Sequence, residues 1–193
     1  MGYLELILGP MFSGKTSKLI QIIQKYKILK KSILILKPNI DNRYSDSSEI
    51  ITHDKISANC LSIKQLSDIL DVSNYDVIII EEGQFFSDIY EKVSEWCKTK
   101  KVYVAGLNGD ANQNLFGNLY KLISIVDNIV FLTALCIKCN NGDPAIFSKK
   151  NINNNLIVEV GGSELYDAVC REHLYCEVPN TKVTPNSVLN QNI

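Results

Sequence analysis

Leu4-Glu5-Leu6-Ile7-Leu8-Gly9-Pro10-Met11-Phe12-Ser13-Gly14-Lys15-Thr16 is the stretch that decides the fold. Leu4 to Leu8 has the apolar density of a short buried strand. Gly9, Pro10, Met11, Phe12, Ser13, Gly14, Lys15 and Thr16 then fit G-x-x-x-x-G-K-[ST], and an amphipathic segment follows at once. Backbone N–H groups in such a loop point inward, and the helix N-terminus adds its partial positive charge. The loop therefore cradles a polyphosphate, with Lys15 reaching the β/γ oxygens and Thr16 offering a hydroxyl to Mg²⁺. A Gly-containing turn that only joins a strand to a helix would not need the Lys-Thr pair. The stretch predicts a nucleotide phosphate site.

Outward from it, a helix is predicted from Lys15 to Lys30, with Leu19, Ile22 or Ile23, Tyr26 and Leu29 on one face. Ser32 to Lys37 is a second strand that Pro38 ends. A polar loop covers Asp41 to Ser48, and Ile50 to His53 resumes as a short strand. Ser62 caps a predicted helix carrying Ile63, Leu66, Ile69 and Leu70. Val77-Ile78-Ile79-Ile80 is an uninterrupted β-branched run, as in a parallel strand buried on both faces. Ser87 opens a helix with Ile89, Val93 and Trp96 inside. Lys101 to Ala105 is a strand, Gly106 to Gly117 a loop, Leu119 to Val126 a helix and Ile129 to Leu132 a strand.

Strands alternating with helices build parallel βαβ units, so the fold class is α/β: a P-loop NTPase-like parallel sheet flanked by helices, with ligands at the carboxyl ends of the strands. After Leu135 the pattern changes to Cys-containing knots and an Asn-rich stretch. The organisation read here is a P-loop α/β body over 1–135, a smaller Cys-containing unit over 136–176, and a disordered polar tail over 177–193.

The 193 residues allow one good core and a small appendage. A formal charge of −1 supplies no basic field, which argues against nucleic acid as a partner. No apolar run approaches the roughly 20 residues of a membrane span. The six Cys, with strand and loop beginning immediately at the N-terminus and no secretion signal ahead of them, point to a reducing, cytoplasmic setting.

Glu81-Glu82 follows the buried run at 77–80. An acid at the end of a strand beside a P-loop organises Mg²⁺. Adjacent strand residues point to opposite sides, so one carboxylate can face metal and the other substrate. That division suits phosphoryl transfer to a hydroxyl, where a carboxylate accepts the proton.

Gly9-Pro10-Met11-Phe12-Ser13-Gly14-Lys15-Thr16, Asp41-Asn42-Arg43-Tyr44, Thr52-His53-Asp54, Glu82-Gly83-Gln84-Phe85-Phe86 and Gly106-Leu107-Asn108-Gly109 resemble the successive signatures of the thymidine kinase family of the cellular-cytosolic and poxvirus type. The likeness runs from about residue 4 to about 175. It implies an ATP-dependent, Mg²⁺-using thymidine kinase that passes the γ-phosphoryl group to the 5′-hydroxyl of thymidine. The alternative is a deoxynucleoside kinase that also takes deoxyuridine or deoxycytidine. By the resemblance, Glu82 is the general base, and Glu81 holds the Mg²⁺-organising position where the family usually has Asp. Arg43 sits by the transferring phosphoryl group, with Asp41 a weaker candidate for the same neighbourhood. Met11, Phe85, Leu107 and Phe116 wall the base. Val160, Gly161 and Tyr166 match the substrate-contacting part of the family's "lasso". Ala111 falls where many members carry Phe, which bears on pocket width. A homotetramer and inhibition by dTTP are likewise what the resemblance implies.

Cys136-Ile137-Lys138-Cys139 and Cys170-Arg171-Glu172-His173 are two x₂ pairs about 30 residues apart. Brought together, Cys136, Cys139, Cys170 and His173 make a closed tetrahedral Zn²⁺ site, with Cys176 as the competing fourth ligand. Lys138 and Arg171 would partly offset the thiolate charge. The segment between the pairs is too polar and short for a core of its own, so zinc would frame it. Cys60 and Cys97 read as packing residues. A GTPase-like switch is disfavoured because neither N-K-x-D nor D-x-x-G is present.

Overall fold

The computed structural model describes residues 1–39, 49–51, 57–150 and 165–176. Arg43, Asp41, His53, Val160, Gly161 and the segment 177–193 lie outside them. In chain order the body contains β1 (Tyr3–Gly9), α1 (Lys15–Ile28), β2 (Ile33–Pro38), β3 (Glu49–Ile51), β4 (Ser57–Asn59), β5 (Leu61–Ile63), β6 (Val77–Ile80), α2 (Ile89–Trp96), β7 (Lys101–Leu107) and β8 (Asn128–Phe131). Six strands form one sheet in the order β5-β2-β6-β7-β1-β8, every pair parallel. β3 and β4 pair separately and antiparallel.

Period-two alternation sorts the strand residues between two cores. Leu4, Leu6, Ile78, Ile80, Val102 and Val104 face Phe86, Ile89, Val93 and Trp96 on one side of the sheet. Ile7, Ile79, Tyr103 and Ala105 face Leu19, Ile20 and Ile23 of α1 on the other. All four residues of β6 are buried, as its uninterrupted apolar run requires. Both layers cover a sheet whose carboxyl ends carry Gly9, Glu81 and Leu107.

Three sequence expectations are corrected. Ser62 does not cap a helix: it lies in β5, paired with β2, and only a 3₁₀ turn follows at Leu66–Asp68. The Asp68 carboxylate accepts from the Gln65 N–H and Ile69 returns to extended backbone, which ends that turn after Leu66 is buried. Residues Leu119–Ser124 also form a 3₁₀ helix. Its three-residue turn lines up Leu119 and Leu122 and leaves Ile123 exposed, whereas an α-helix would have buried it. Finally, α1 stops at Ile28, because Lys30 turns into the left-handed region (φ 53°) and Lys31 N–H bonds the Tyr26 carbonyl. Leu29 is therefore exposed rather than on the inner face.

Beyond β8 the chain forms β9 (Ala134–Leu135), β10 (Pro144–Ala145), β11 (Phe147–Lys150), β12 (Tyr166–Val169) and α3 (Arg171–Tyr175). β9 pairs with β10, and β11 with β12, both antiparallel. Ala134, Cys136, Ala145, Ala168, Val169 and Leu174 form a small apolar cluster, to which the segment between the Cys pairs contributes only together with residues flanking it. It is built from small side chains, so it stays thin around the Cys-His group.

Candidate active site

The loop 9–16 is shaped by its two glycines. A Cβ on Gly9 would lie 2.5 Å from Ser13 Oγ and 2.6 Å from the Leu132 carbonyl, and Gly14 sits at φ 84°. Phe12 also adopts positive φ (64°), a sparsely populated conformation for an aromatic residue. Ser13 Oγ donates to the Pro10 carbonyl (2.8 Å). The Lys15 ammonium, 9% exposed, donates to the Gly9 (3.2 Å) and Pro10 (2.7 Å) carbonyls. Burial pushes its pKa down, and the charges of Glu82 and then Glu81 oppose that shift. The ammonium and both carboxylates thus share one electrostatic neighbourhood.

Thr16 Oγ1 donates to Glu81 Oε1 at 2.5 Å. Burial raises the Glu81 carboxyl to about 7; the Thr16 bond lowers it, the Glu82 charge raises it, and Lys37 and Lys15 lower it. A hydroxyl and a carboxylate joined across the loop and the end of β6 are oxygen ligands suited to Mg²⁺. The two acids do diverge, but strand alternation is not the cause. β6 ends at Ile80, and Glu82 occupies the left-handed region (φ 52°, ψ 44°), opening a 3₁₀ turn over Gly83–Phe85. That backbone turn sends Glu82 toward Gln84, whose Nε2 donates to Glu82 Oε2 (2.5 Å).

Phe85 and Phe116 meet edge to face with centroids 5.2 Å apart. They are half-buried, as are Met11 and Leu107. Among the described residues, two side-chain bonds join the smaller unit to this region. Met11 N–H donates to Ser148 Oγ (2.9 Å), and Asn108 Nδ2 donates to the Ile146 carbonyl (3.1 Å). Tyr166 pairs with Lys150 two positions from Ser148↔Ala168, so it lies on the same face of the ribbon as Ser148. The sequence reading assigns no role to Gln84, Ser148 or Asn108. Gln84 and Asn108 stand inside recognised motifs, while Ser148 carries no local signal.

Cys136, Cys139, Cys170 and His173 converge with all ligand atoms within 4.8 Å of one another. Cys139 Sγ and Cys170 Sγ are 3.6 Å apart, and His173 Nδ1 lies 3.3 to 3.8 Å from the three sulfurs. A tetrahedron with Zn–S of about 2.3 Å has S···S edges of about 3.8 Å, so the donor set is compatible with structural zinc. Burial, then hydrogen bonding with Asp143 and with its sulfur neighbours, raises the Cys139 thiol, whereas burial is outweighed at Cys136 by backbone N–H groups that bring it down to about 6. A divalent cation removes that conflict between neighbouring thiolates. Cys176 is exposed and outside the cluster, which leaves His173 as the fourth member. Lys138 pairs with Asp167 (2.9 Å) and Arg171 lies over the Phe147 ring, so these cations are engaged away from the sulfurs.

The thymidine kinase family pattern matches residues 2–174. The chain belongs to the thymidine kinase family. It is similar to the thymidine kinase of Choristoneura fumiferana entomopoxvirus, 42% identical over 178 residues covering 87% of this chain and 94% of the relative. The Fowlpox virus thymidine kinase is 40% identical over 177 residues (89% and 96%). That of vaccinia virus strain Ankara is 38% identical over 173 residues (89% and 96%). Membership in the thymidine kinase family makes the chain an enzyme of thymidine phosphorylation. Among the described residues, no helix is long and apolar enough to cross a membrane.

Proposed function

We propose that the chain transfers the γ-phosphoryl group of ATP to the thymidine 5′-hydroxyl, with the chemistry assembled where loop 9–16 meets the end of β6. The observation that carries this is the grouping of buried Lys15 with Glu81 and Glu82 beside the Thr16 hydroxyl. The loop amides and Lys15 hold the polyphosphate and draw charge from the transferring group. Glu82, separated from Glu81 by the left-handed turn, takes the proton from the 5′-hydroxyl as the new O–P bond forms. Thr16 and Glu81 would hold Mg²⁺, which neutralises charge on the phosphate oxygens when bound. Arg43 adds a guanidinium to the same charge, and Asp41 holds the substrate side, as the family pattern implies.

The base of thymidine lies against Met11, Phe85, Leu107 and Phe116, with Val160, Gly161 and Tyr166 closing over it. Zn²⁺ on Cys136, Cys139, Cys170 and His173 holds the frame of that closure, so residues 136–176 serve as the substrate arm of the 1–135 body. Exposed Ile129 and Phe131 on the edge strand, with Leu135 and Ile137 beyond it, support assembly, a homotetramer in this reading. Feedback by dTTP and a cytoplasmic location complete it.

Phosphoryl transfer from ATP and Mg²⁺ to a nucleoside panel tests the reading. Preference for thymidine, lost roughly 10²–10⁴-fold in Glu82→Gln, is the expected result. Equal turnover of deoxycytidine would direct attention to Ala111 and the broader-specificity alternative. No transfer to any nucleoside from folded, metal-loaded protein would overturn it.

A further inference from the structure

Gln84 is 3% exposed although it is polar and stands two residues after Glu82. Its amide makes two bonds in opposite directions. Oε1 accepts the Leu107 backbone N–H (3.2 Å), and Nε2 donates to Glu82 Oε2. The Leu107 N–H can only donate, so it compels the amide to present oxygen there and its NH₂ to Glu82; the flipped amide would set two donors together. Space for this side chain is reserved by backbone. A Cβ on Gly106 would lie 2.6 Å from the side-chain Gln84 Oε1, and one on Gly117 would lie 2.0 Å from the Gln84 backbone carbonyl oxygen, so one glycine clears the amide and the other the backbone that carries it. Gly117 also sits at φ +60°. A buried amide with both ends satisfied, a glycine beside its oxygen and a second glycine against its backbone has one available orientation.

We propose that Gln84 is the positioning residue of the catalytic base: its NH₂ fixes the Glu82 carboxylate, and its carbonyl registers that carboxylate against Leu107 in the nucleoside wall. The inference rests on the assignment of Glu82 as base. Glu82 is a half-buried side chain on a left-handed turn residue, and the Gln84 amide is a direct hydrogen-bond partner of its carboxylate. The amide bond holds one carboxylate oxygen and leaves the other for the 5′-hydroxyl. Because the amide's other end is tied to β7, the base and the wall that seats the nucleoside move as one body.

The test is steady-state thymidine phosphorylation by the full chain and by Gln84→Glu, Gln84→Met, Glu82→Gln and Glu82→Gln/Gln84→Met. Gln84→Glu keeps an acceptor for Leu107 but faces Glu82 with a second carboxyl, which either repels it or shares with it the proton that occupies the base. It is expected to lower kcat roughly 10- to 100-fold with KM for ATP and thymidine within about twofold, since misplacing a reacting group acts on the chemical step. Gln84→Met, of similar volume, is expected to lower kcat similarly. In the Glu82→Gln background the same substitution should change kcat less than about twofold, because a residue acting through Glu82 has nothing left to position. Unchanged kcat in Gln84→Glu, or the full loss repeated in the Glu82→Gln background, overturns the proposal. Glu82→Gln at wild-type activity overturns the base assignment with it, and the two failures are distinguished by that single variant. Should Gln84→Met fail to fold, Gln84→Glu decides.

Discussion

Ser148 Oγ accepts a hydrogen bond from the Met11 N–H at 2.9 Å, joining residues 137 apart in sequence. Ser148 is buried in β11, and Met11 lies inside the phosphate loop. The unit that carries the Cys-His cluster therefore holds the backbone of the loop itself.

Ser148→Ala is expected to raise KM for ATP roughly three- to tenfold with a smaller effect on thymidine, since one net hydrogen bond is worth about 1 kcal/mol and the lost partner leaves a loop N–H unmet. Nucleotide titration by calorimetry checks it. Equal weakening of both substrates would argue against a local effect on the loop.

Metal content separates the fourth-ligand alternatives. His173→Ala is expected to lose stoichiometric zinc and to lower Tm, whereas Cys176→Ser retains both, because Cys176 is exposed and outside the cluster. Elemental analysis of purified protein reads the result directly. Retention of zinc by His173→Ala with loss in Cys176→Ser would reverse the assignment.

Gly117→Ala places a Cβ 2.0 Å from the Gln84 carbonyl at a position with φ +60°. A destabilisation of about 1–3 kcal/mol is expected from backbone strain alone, and displacement of Gln84 adds to it. Denaturant unfolding measures the loss. A shift below about 0.5 kcal/mol would mean that the 108–118 segment relaxes freely.

Alkaline stability is governed by phenols under the sheet. Burial, with hydrogen bonding and charge from Glu5, raises Tyr3 to about 12, and burial with the Tyr26 hydroxyl bond (2.7 Å) raises Tyr103 further. The unfolded phenol ionises near 10, so the fold favours the neutral form. This contribution is complete below about pH 10 and is lost as pH rises through the folded values. Tm should fall steeply above pH 10, and Tyr103→Phe should flatten that fall while lowering Tm at neutral pH. Identical pH slopes in the two proteins would exclude Tyr103 as the source.

Local pattern made some features legible and left others hidden. Val77–Ile80, the phosphate loop and the two Cys/His pairs each announce themselves within a few residues, because periodicity and ligand spacing are local properties. Ser62 misled because a capping residue before apolar positions also describes an edge strand followed by one turn; pairing with β2 decided it. The spacing of Leu119 and Leu122 is shared by α and 3₁₀ helices, so only the exposure of Ile123 distinguishes them. The bonds from Ser148 to Met11 and from Asn108 to Ile146 depend on how two distant segments dock, and no window of sequence contains both ends. Gln84 lay in plain view, but its role needs the backbone of Leu107 to orient it.

The place of β1 between β7 and β8 sets an order of events during synthesis. β1 leaves the ribosome well before β7 and β8 and is enclosed only after residues 101–131 have followed it, so Leu4, Leu6 and Ile7 wait without their sheet partners. Parallel pairings this distant form slowly, and an unpartnered apolar strand is a template for association with other chains. The nascent chain thus depends on residues 101–131 to shelter β1, and truncation before β8 should yield insoluble protein.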